Sequence, residues 1–154
     1  MKVIPATKKH AKEISTRMLD DLKHPNKRFP EEMINQFREH AKEENIIKEF
    51  DNSKIIAYLC LENEGVIGFI VGYKEGSTSA VIHYINGANK EIKKVLLEEF
   101  IDSCRKRKMN IIKADSFEFM ENNEIFKEEG FVFTKKEKIA ENLEMLWYDF
   151  HIEA

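Results

Sequence analysis

Residues 55–73 have the sequence IIAYLCLENEGVIGFIVGY, and this stretch decides the fold. Two runs rich in β-branched and aromatic residues, Ile55–Leu61 and Val66–Tyr73, flank the turn sequence Glu62–Gly65. This pattern predicts an antiparallel hairpin. A further turn leads into a third apolar run, Ser79–Ile85, so three strands are expected to follow one another directly. Because the three runs are almost continuously apolar, we expect both faces of their sheet to be covered.

Helical periodicity precedes and follows these strands. A short strand, Lys2–Ala6, is followed by a helix from Lys9 to Leu22, and a second helix begins at Pro30 with its apolar stripe between Met33 and Ala41. The downstream elements are a long helix Asn89–Lys106, a strand Ile111–Phe117, a short helix Glu121–Glu129 and two closing strands, Phe131–Phe133 and Leu143–Phe150. The sequence therefore predicts one mixed α/β domain over residues 1–154. Its central sheet is expected to be mostly antiparallel, with about seven strands and about four helices.

The composition excludes several classes of protein. Of the 154 residues 42% are apolar and 34% are charged, which argues against disorder, and the net charge is −3. No basic arm, signal core or apolar run near the roughly 20 residues of a membrane span is present, so we expect a cytoplasmic protein without a nucleic-acid or membrane partner. Cys60 and Cys104 stand apart from each other and from any histidine pair. They are expected to be buried reduced thiols rather than metal ligands.

The order of the elements resembles that of the GNAT acyltransferase family. The hairpin Ile55–Tyr73, with GVIGFIVGY in its second strand, is similar to the central meander of that family. NNEIFKEEGF at Asn122–Phe131 is similar to its short fourth helix, which ends in a Gly-Phe step, and LEMLWYDF at Leu143–Phe150 is similar to its last strand. An unrelated α+β sheet is the alternative, and in it the second to fourth strands would not form a consecutive antiparallel meander.

The resemblance implies a co-substrate and a site. Acyl-CoA, most often acetyl-CoA, would place its pyrophosphate at the N-terminus of the long helix, where free N–H groups and the helix dipole favour an anion. An amine would attack the thioester, backbone N–H groups at a bulge in the fourth strand would polarise the carbonyl, and a tyrosine of the short helix would protonate the thiolate. The matching cofactor-binding positions here are Ile85, Asn86, Gly87, Ala88, Asn89, Lys90, Glu91, Ile92, Lys93, Asn122, Asn123 and Phe126.

The phosphate loop departs from the family pattern. The family has [Q/R]-x-x-G-x-[G/A], whereas Ala88–Lys93 is ANKEIK, with Glu91 and Lys93 at the two small positions. Side chains there hinder the approach of a pyrophosphate to the backbone, and Glu91 repels it. Lys90, Lys93 and Lys94 would offset that repulsion. The competing interpretation is an ordinary capped helix start, since an acidic first turn favours the helix dipole.

The proton donor also departs from the pattern. Phe126 stands four residues before Gly130, where the family commonly has tyrosine, so the proton must come from water or from another donor such as Tyr84 or Tyr148. Loss of an acid slows such a reaction by about 10²–10⁴-fold without forbidding it. Asn122 or Asn123 resembles the family asparagine that contacts CoA, although either is also a good N-cap for the short helix.

His83, Glu62 and Tyr84 are the catalytic candidates. A neutral His83 in the fourth strand could accept the proton of the amine, or it could be a packed core histidine. Strand alternation predicts that His83 and Tyr84 point to opposite faces of the sheet. Glu62, at the end of the second strand, could act as a base through a water or could simply be a solvated charge at a hairpin.

The sequence leaves two hypotheses for the function. The first is an N-acyltransferase that moves an acetyl group from CoA to a small-molecule or peptide amine, with the basic loop His24–Arg28 beside the acceptor and suited to an acidic one. The second is a GNAT-fold protein that has lost CoA binding and serves as a binding or interaction module. Trp147 and Tyr148 of the last strand are expected to pack the sheet or a contact between two copies, and whether the chain forms a homodimer stays open.

Overall fold

Seven strands form one sheet in the order β1-β2-β3-β4-β5-β7-β6 in a computed structural model that describes residues 1–153. The strands are β1 Lys2–Pro5, β2 Ile55–Glu62, β3 Gly65–Glu75, β4 Ser79–Gly87, β5 Ile111–Phe117, β6 Val132–Ala140 and β7 Leu143–His151. The helices are α1 Ala11–Asp21, α2 Glu31–His40, α3 Glu43–Phe50, α4 Lys90–Lys106 and α5 Asn122–Glu128, and a 3₁₀ turn at Lys8–His10 precedes α1.

The strand pairing confirms the predicted meander. β2 pairs antiparallel with β3, and β3 pairs antiparallel with β4. β4 then pairs parallel with β5 after the crossover through α4, and β7 lies antiparallel between β5 and β6. The mostly antiparallel mixed sheet is therefore as predicted, and the meander excludes the alternative α+β sheet.

Both faces of the sheet are covered, as the apolar runs predicted. Leu59 and Phe69 belong to the core that α1 and α3 cover, and Cys60 and Ile70, their neighbours in sequence, belong to the core that α4 and α5 cover. Strand alternation accounts for this division. We call the two sides the α1 face and the α4 face. Cys60 and Cys104 are both free thiols buried on the α4 face, as expected.

Two elements differ from the prediction by more than two residues at an end. The helix that begins after Pro30 is two helices, because the buried Ala41 accepts a hydrogen bond from Ser15 Oγ at 2.5 Å and Lys42 is extended (φ −63°, ψ 140°). The five α-helices thus exceed the four expected. β6 extends well beyond Phe133, because its polar residues lie on an edge strand that is exposed along most of its length.

No helix within residues 1–153 combines the length and the apolar character that crossing a membrane requires.

Candidate active site

The parallel strands β4 and β5 separate after a short paired segment. Ser79–Val81 pairs with Ile111–Lys113, whereas β4 continues to Gly87 and β5 to Phe117. Within residues 1–153, the peptide groups of β4 beyond Val81 that face β5 therefore have no strand partner there. Backbone groups of this kind can hydrogen-bond an extended ligand laid between the strands. We call this gap the β4–β5 opening.

β4 carries a bulge at the base of the β4–β5 opening. Val71 of β3 pairs with Tyr84, but the next residue, Gly72, pairs with Ile82, so His83 is an extra residue. A bulge changes the direction of the side chains that follow it. Here it lies two residues beyond the last β4–β5 pair.

The bulge corrects the prediction that His83 and Tyr84 point to opposite faces. The His83 ring lies 4.8 Å from the ring of Tyr73, and Tyr84 stacks on Phe69 at 5.4 Å between ring centroids. Tyr73 and Phe69 both belong to the α1 face. Side chains do not alternate at the bulge, because the extra residue His83 and the next residue Tyr84 both point to the α1 face.

Tyr84 is part of a network that ties β4 to α1. Its hydroxyl donates to Asp21 Oδ2 at 2.6 Å, and Asn86 Nδ2 donates to the same oxygen at 2.8 Å. Arg17 Nε donates to Asn86 Oδ1 at 2.5 Å. Burial and the charge of Asp21 raise the pKa of Tyr84, which keeps its hydroxyl neutral. The side chains of Tyr84 and Asn86 are thus engaged with α1, away from the α4 N-terminus.

His83 is suited to accept a proton. The residue is exposed, yet partial desolvation by the surrounding protein lowers the pKa of its imidazole; the carboxylate of Glu75 opposes this effect, and nearby His40 adds to it. A lowered histidine pKa means that the ring is neutral at physiological pH.

Asp115 is a site residue that the sequence analysis missed. Lys113 reaches Glu75 at 3.4 Å on the α1 face, and Ala114 is buried on the α4 face, so the alternation of β5 returns Asp115 to the α1 face. Burial raises the pKa of Asp115 to about 6, and the charge of Glu137 adds to this rise. The signal was present in the sequence, as a carboxylate within a largely apolar strand.

Trp147 lies beside Asp115. The two residues are directly paired across β5 and β7, so their side chains share the α1 face. Trp147 Nε1 is buried without a hydrogen-bond partner within residues 1–153. The α1 side of the β4–β5 opening therefore presents an imidazole on β4 and a carboxylate with an indole on β5 and β7.

The segment between α1 and α2 folds over the end of β5. Phe29 packs against Phe37, Phe117 and Phe119 with ring centroids 4.8–5.6 Å apart. Arg28 of the basic loop forms an ion pair with Glu118 at 3.1 Å, so its charge is matched within the chain. A cavity of about 510 Å³ lies between this ion pair and the β6–β7 turn.

Glu62 lies far from His83 in the folded chain. It is exposed at the β2–β3 turn, opposite Gly65, whereas the bulge lies opposite Val71. Six residues of β3 separate these two positions, which corresponds to about 20 Å. The solvated hairpin charge is the role that its position supports.

The N-terminus of α4 is partly capped. Asn89 Oδ1 accepts from the Ile92 N–H at 3.0 Å, and the Lys93 N–H donates to the Asn89 carbonyl at 3.3 Å. The N–H groups of Lys90 and Glu91 remain as the free donors of the first turn within residues 1–153. The Glu91 side chain is exposed, so solvent screens its charge. Ile85 and Ile92 are buried in the core, and the exposed Ala88 donates its N–H to the Ile67 carbonyl at 3.0 Å.

Ion pairs connect the start of α4 to α5. Lys90 lies 2.9 Å from Glu128 and 3.4 Å from Glu124, and Lys94 lies 2.5 Å from Glu128. Lys93 lies 3.1 Å from Glu121. We call this set, Lys90, Lys93 and Lys94 with Glu121, Glu124 and Glu128, the α4–α5 clamp.

Lys93 fills the space beside the loop glycine. A Cβ added at Gly87 would lie 2.9 Å from Lys93 Cγ, so the lysine stem packs directly on the Gly87 backbone. Its ammonium also donates to Asn122 Oδ1 at 2.9 Å. The small residue expected from the family pattern is thus replaced by a side chain that crosses from α4 to α5.

The short helix α5 corrects the capping interpretation of its asparagines. Asn122 lies inside the helix, and Asn123 Nδ2 donates to the carbonyls of Phe117 at 2.8 Å and Met120 at 2.9 Å. Asn123 Oδ1 accepts from the buried Tyr148 hydroxyl at 2.9 Å. These amides close the β5–α5 connection instead of capping α5.

Phe126 is a core residue. It is 1% exposed and packs between Phe131 and Tyr148, at ring-centroid distances of 5.3 Å and 5.6 Å. A phenyl ring has no proton to donate, and the Tyr148 hydroxyl is already engaged with Asn123. Among residues 1–153, therefore, no free phenol lies at this point of α5.

Comparisons with known proteins show which fold this is. No protein-family model and no curated protein matches the sequence. Several solved structures match nearly the whole chain: an aminoglycoside 6'-N-acetyltransferase from Enterococcus faecium at 13% identity (TM-score 0.77, 100% of this chain and 98% of that one), and a probable acetyltransferase from Staphylococcus epidermidis ATCC 12228 at 10% identity (TM-score 0.80, 99% of both chains).

A third matching structure was solved with coenzyme A bound. It is an aminoglycoside 6'-N-acetyltransferase complexed with coenzyme A, at 11% identity and a TM-score of 0.76, covering 100% of this chain and 98% of that one. At such identities the likeness establishes architecture alone. The chain has the GNAT acetyltransferase fold.

Proposed function

We propose that the protein transfers an acyl group, in the first instance acetyl, from CoA to an amine. The observation that carries this proposal is the β4–β5 opening with the bulged His83 at its base. Peptide groups without a strand partner and a neutral imidazole lie together where the two strands separate. An acyl transfer needs these two elements, because donors stabilise the developing oxyanion and a base removes the proton of the amine.

Acetyl-CoA, when bound, supplies a thioester whose carbonyl carbon takes the amine nitrogen, so that a C–N bond forms and the C–S bond breaks. His83 takes the proton that the ammonium must lose, because an alkylammonium with a pKa near ~10 cannot attack while protonated. The thiolate leaves with the bonding electrons and takes the second proton of the attacking nitrogen through water, since Phe126 has none to give. Tyr84 positions α1 against β4 through Asp21.

The α4 N-terminus fits the diphosphate of CoA in charge. Lys90 and Glu91 offer main-chain N–H groups, and three lysines lie within one turn of them. Each lysine would exchange a glutamate oxygen of the α4–α5 clamp for a phosphate oxygen. For Lys90, whose side chain is 39% exposed, this exchange costs little because solvent screens its ion pairs, whereas Lys93, at 14%, is held more firmly.

The test is an amine-dependent release of CoA thiol from acetyl-CoA, with mass spectrometry of the acetylated amine. A panel of alkyl diamines, amino sugars and N-terminal peptides covers the acceptor classes. We expect at least one amine to be acetylated by the wild-type chain and that rate to fall strongly in His83→Ala. Thiol release that is equal in the absence of protein, or equal in His83→Ala, contradicts the proposal.

The α4–α5 clamp favours a second candidate, a GNAT-fold interaction module without CoA binding. In that case the lysines are permanent partners of α5, and Lys93 blocks the approach to Gly87. The double variant Glu91→Gly, Lys93→Gly separates the two functions. Acetyl-CoA binding that appears only in the double variant supports the interaction module, whereas binding by the wild-type chain supports the transferase.

A further inference from the structure

Asp115 is a half-buried carboxylate, and no cation within residues 1–153 lies within ion-pair distance of it. The two lysines that share its side of the sheet are directed elsewhere. Lys113 pairs with Glu75 at 3.4 Å, and the Lys135 ammonium lies 5.4 Å from the centroid of the Trp147 ring. The other charge that affects Asp115 is Glu137, which is also negative. Burial of an uncompensated carboxylate is costly, so its retention here needs a reason.

Trp147 supplies the second half of a cation site. Its indole is the direct cross-strand neighbour of Asp115, and it already attracts one ammonium, that of Lys135. An aromatic face and a carboxylate are the two protein groups that hold alkylammonium ions. The arrangement is built on paired strands of the sheet, which fixes both side chains relative to each other.

The position of this pair relates it to His83. Val81 and Lys113 are the last paired residues of β4 and β5, and His83 and Asp115 each lie two residues further on, facing the same side. Paired strands lie about 4.8 Å apart, and these two strands diverge, so the two side chains flank the β4–β5 opening at roughly 5–10 Å. One ammonium does not span that gap, whereas two amino groups on a short alkyl chain do.

We propose that Asp115 and Trp147 form a subsite for a second ammonium group of the acceptor, which makes the acceptor an alkyl diamine or a larger amine with the same spacing. This inference rests on the proposed function. One amino group loses its proton to His83 and is acylated, and the other stays protonated against the Asp115 carboxylate.

The chain provides its own probe of this subsite, because Trp147 is its only tryptophan. Intrinsic fluorescence is recorded while the wild-type chain, Asp115→Asn and Glu64→Gln are titrated with 1,4-diaminobutane at pH 7.5 and 0.15 M salt. Glu64→Gln removes one negative charge at the exposed β2–β3 turn and serves as the matched control. Titration with 1,4-butanediol, which has the same length but no charge, controls for solvent effects.

We expect a saturable change with the diamine that is at least tenfold weaker in Asp115→Asn, unchanged in Glu64→Gln and absent with the diol. Equal binding by the wild-type chain and Asp115→Asn, or no saturable change in either, overturns the subsite. Thermal melting verifies that Asp115→Asn is folded, and Asp115→Glu, which keeps the charge, should recover part of the binding.

Acyl transfer gives an independent reading. The wild-type chain should acetylate 1,4-diaminobutane at least tenfold more efficiently in kcat/KM than 1-aminobutane, and Asp115→Asn should reduce this ratio toward one through KM. A chain that acetylates both amines equally in both forms contradicts the subsite and leaves the transferase intact. A chain that binds the diamine through Asp115 but acetylates nothing contradicts the transferase alone.

Discussion

The two sides of the β4–β5 opening differ in whether their charged side chains have partners of opposite charge. On the α4 side, Lys90, Lys93 and Lys94 are all matched by glutamates of α5, and the members of this clamp are mostly exposed. On the α1 side, Asp115 is half-buried and has no counter-ion in the described part of the chain. The number of charges alone therefore does not identify a ligand site. A matched exposed pair is inexpensive and exchangeable, whereas an unmatched, partly buried charge is costly, and for this reason we propose that a ligand completes the Asp115 position.

The largest expected effect lies at the base of the opening. His83→Ala removes the proposed proton acceptor, so kcat/KM at pH 7 should fall about 100-fold or more, while the affinity for acetyl-CoA stays unchanged. Steady-state thiol release and calorimetry measure the two quantities. Tyr84→Phe keeps the stacking on Phe69 and loses only the hydrogen bond to Asp21, so it should change the rate less than about threefold. A greater loss in Tyr84→Phe than in His83→Ala would reverse the two roles.

The next effect is on stability and depends on pH. Because the folded pKa of Asp115 is about 6, above the ordinary 3.8, the folded chain holds this proton more tightly than the unfolded chain, and stability falls as pH rises between these two values. Glu137 strengthens this effect, while Lys113, Lys135 and the neutral His83 oppose it little. Asp115→Asn should therefore be more stable than the wild-type chain at pH 8, by on the order of 2 kcal/mol, and not at pH 4.

Urea denaturation at the two pH values measures this difference. If the difference in unfolding free energy between the wild-type chain and Asp115→Asn is the same at pH 4 and pH 8, the carboxylate is compensated in solution. The contrast between the two sides of the opening would then disappear.

The α4–α5 clamp should yield an intermediate effect. Replacing Glu121, Glu124 and Glu128 together by glutamine frees three lysines for phosphate, so acetyl-CoA should bind about tenfold more tightly at low salt. Replacing Lys90, Lys93 and Lys94 by glutamine should weaken binding and flatten its dependence on salt. Isothermal titration at two salt concentrations measures both. Unchanged affinity in both triple variants would show that the phosphates bind elsewhere.

The smallest effect tests the statement that single clamp pairs are inexpensive. Lys90→Gln removes two exposed contacts, to Glu124 and Glu128, and should leave Tm almost unchanged, because solvent screens exposed ion pairs. Thermal melting in low and high salt measures this change. A large drop in Tm would mean that the clamp is a structural element that cannot open for a ligand.

Local pattern accounts for the parts of the fold that were predicted correctly. The hairpin and third strand over residues 55–85 follow from strand-length apolar runs and turn residues that lie next to each other in sequence. The bulge at His83 was not predicted, because it depends on how β4 registers against β3, which no local pattern encodes. The separation of α2 from α3 depends likewise on the contact between Ala41 and Ser15.

The site was less predictable than the fold for a similar reason. The α4 lysines were identified, but their glutamate partners lie about 30 residues downstream on another helix. Asn122 and Asn123 satisfy the rules for a helix cap, yet tertiary contacts with Lys93 and Tyr148 decide their role. Asp115 gains its character from burial and from its neighbour on β7, and only the folded sheet provides both.

The central claim is that the β4–β5 opening of this chain binds an acyl-CoA, and a thermal-shift titration with acetyl-CoA tests it most directly. At about 100 times the dissociation constant, binding adds roughly 2.7 kcal/mol, which corresponds to a rise in Tm of about 5–10 °C for a chain of this size. We predict a saturable rise of this kind that shrinks in the variant lacking Lys90, Lys93 and Lys94. No change in Tm at millimolar acetyl-CoA would contradict the account and leave the GNAT fold as a scaffold for another partner.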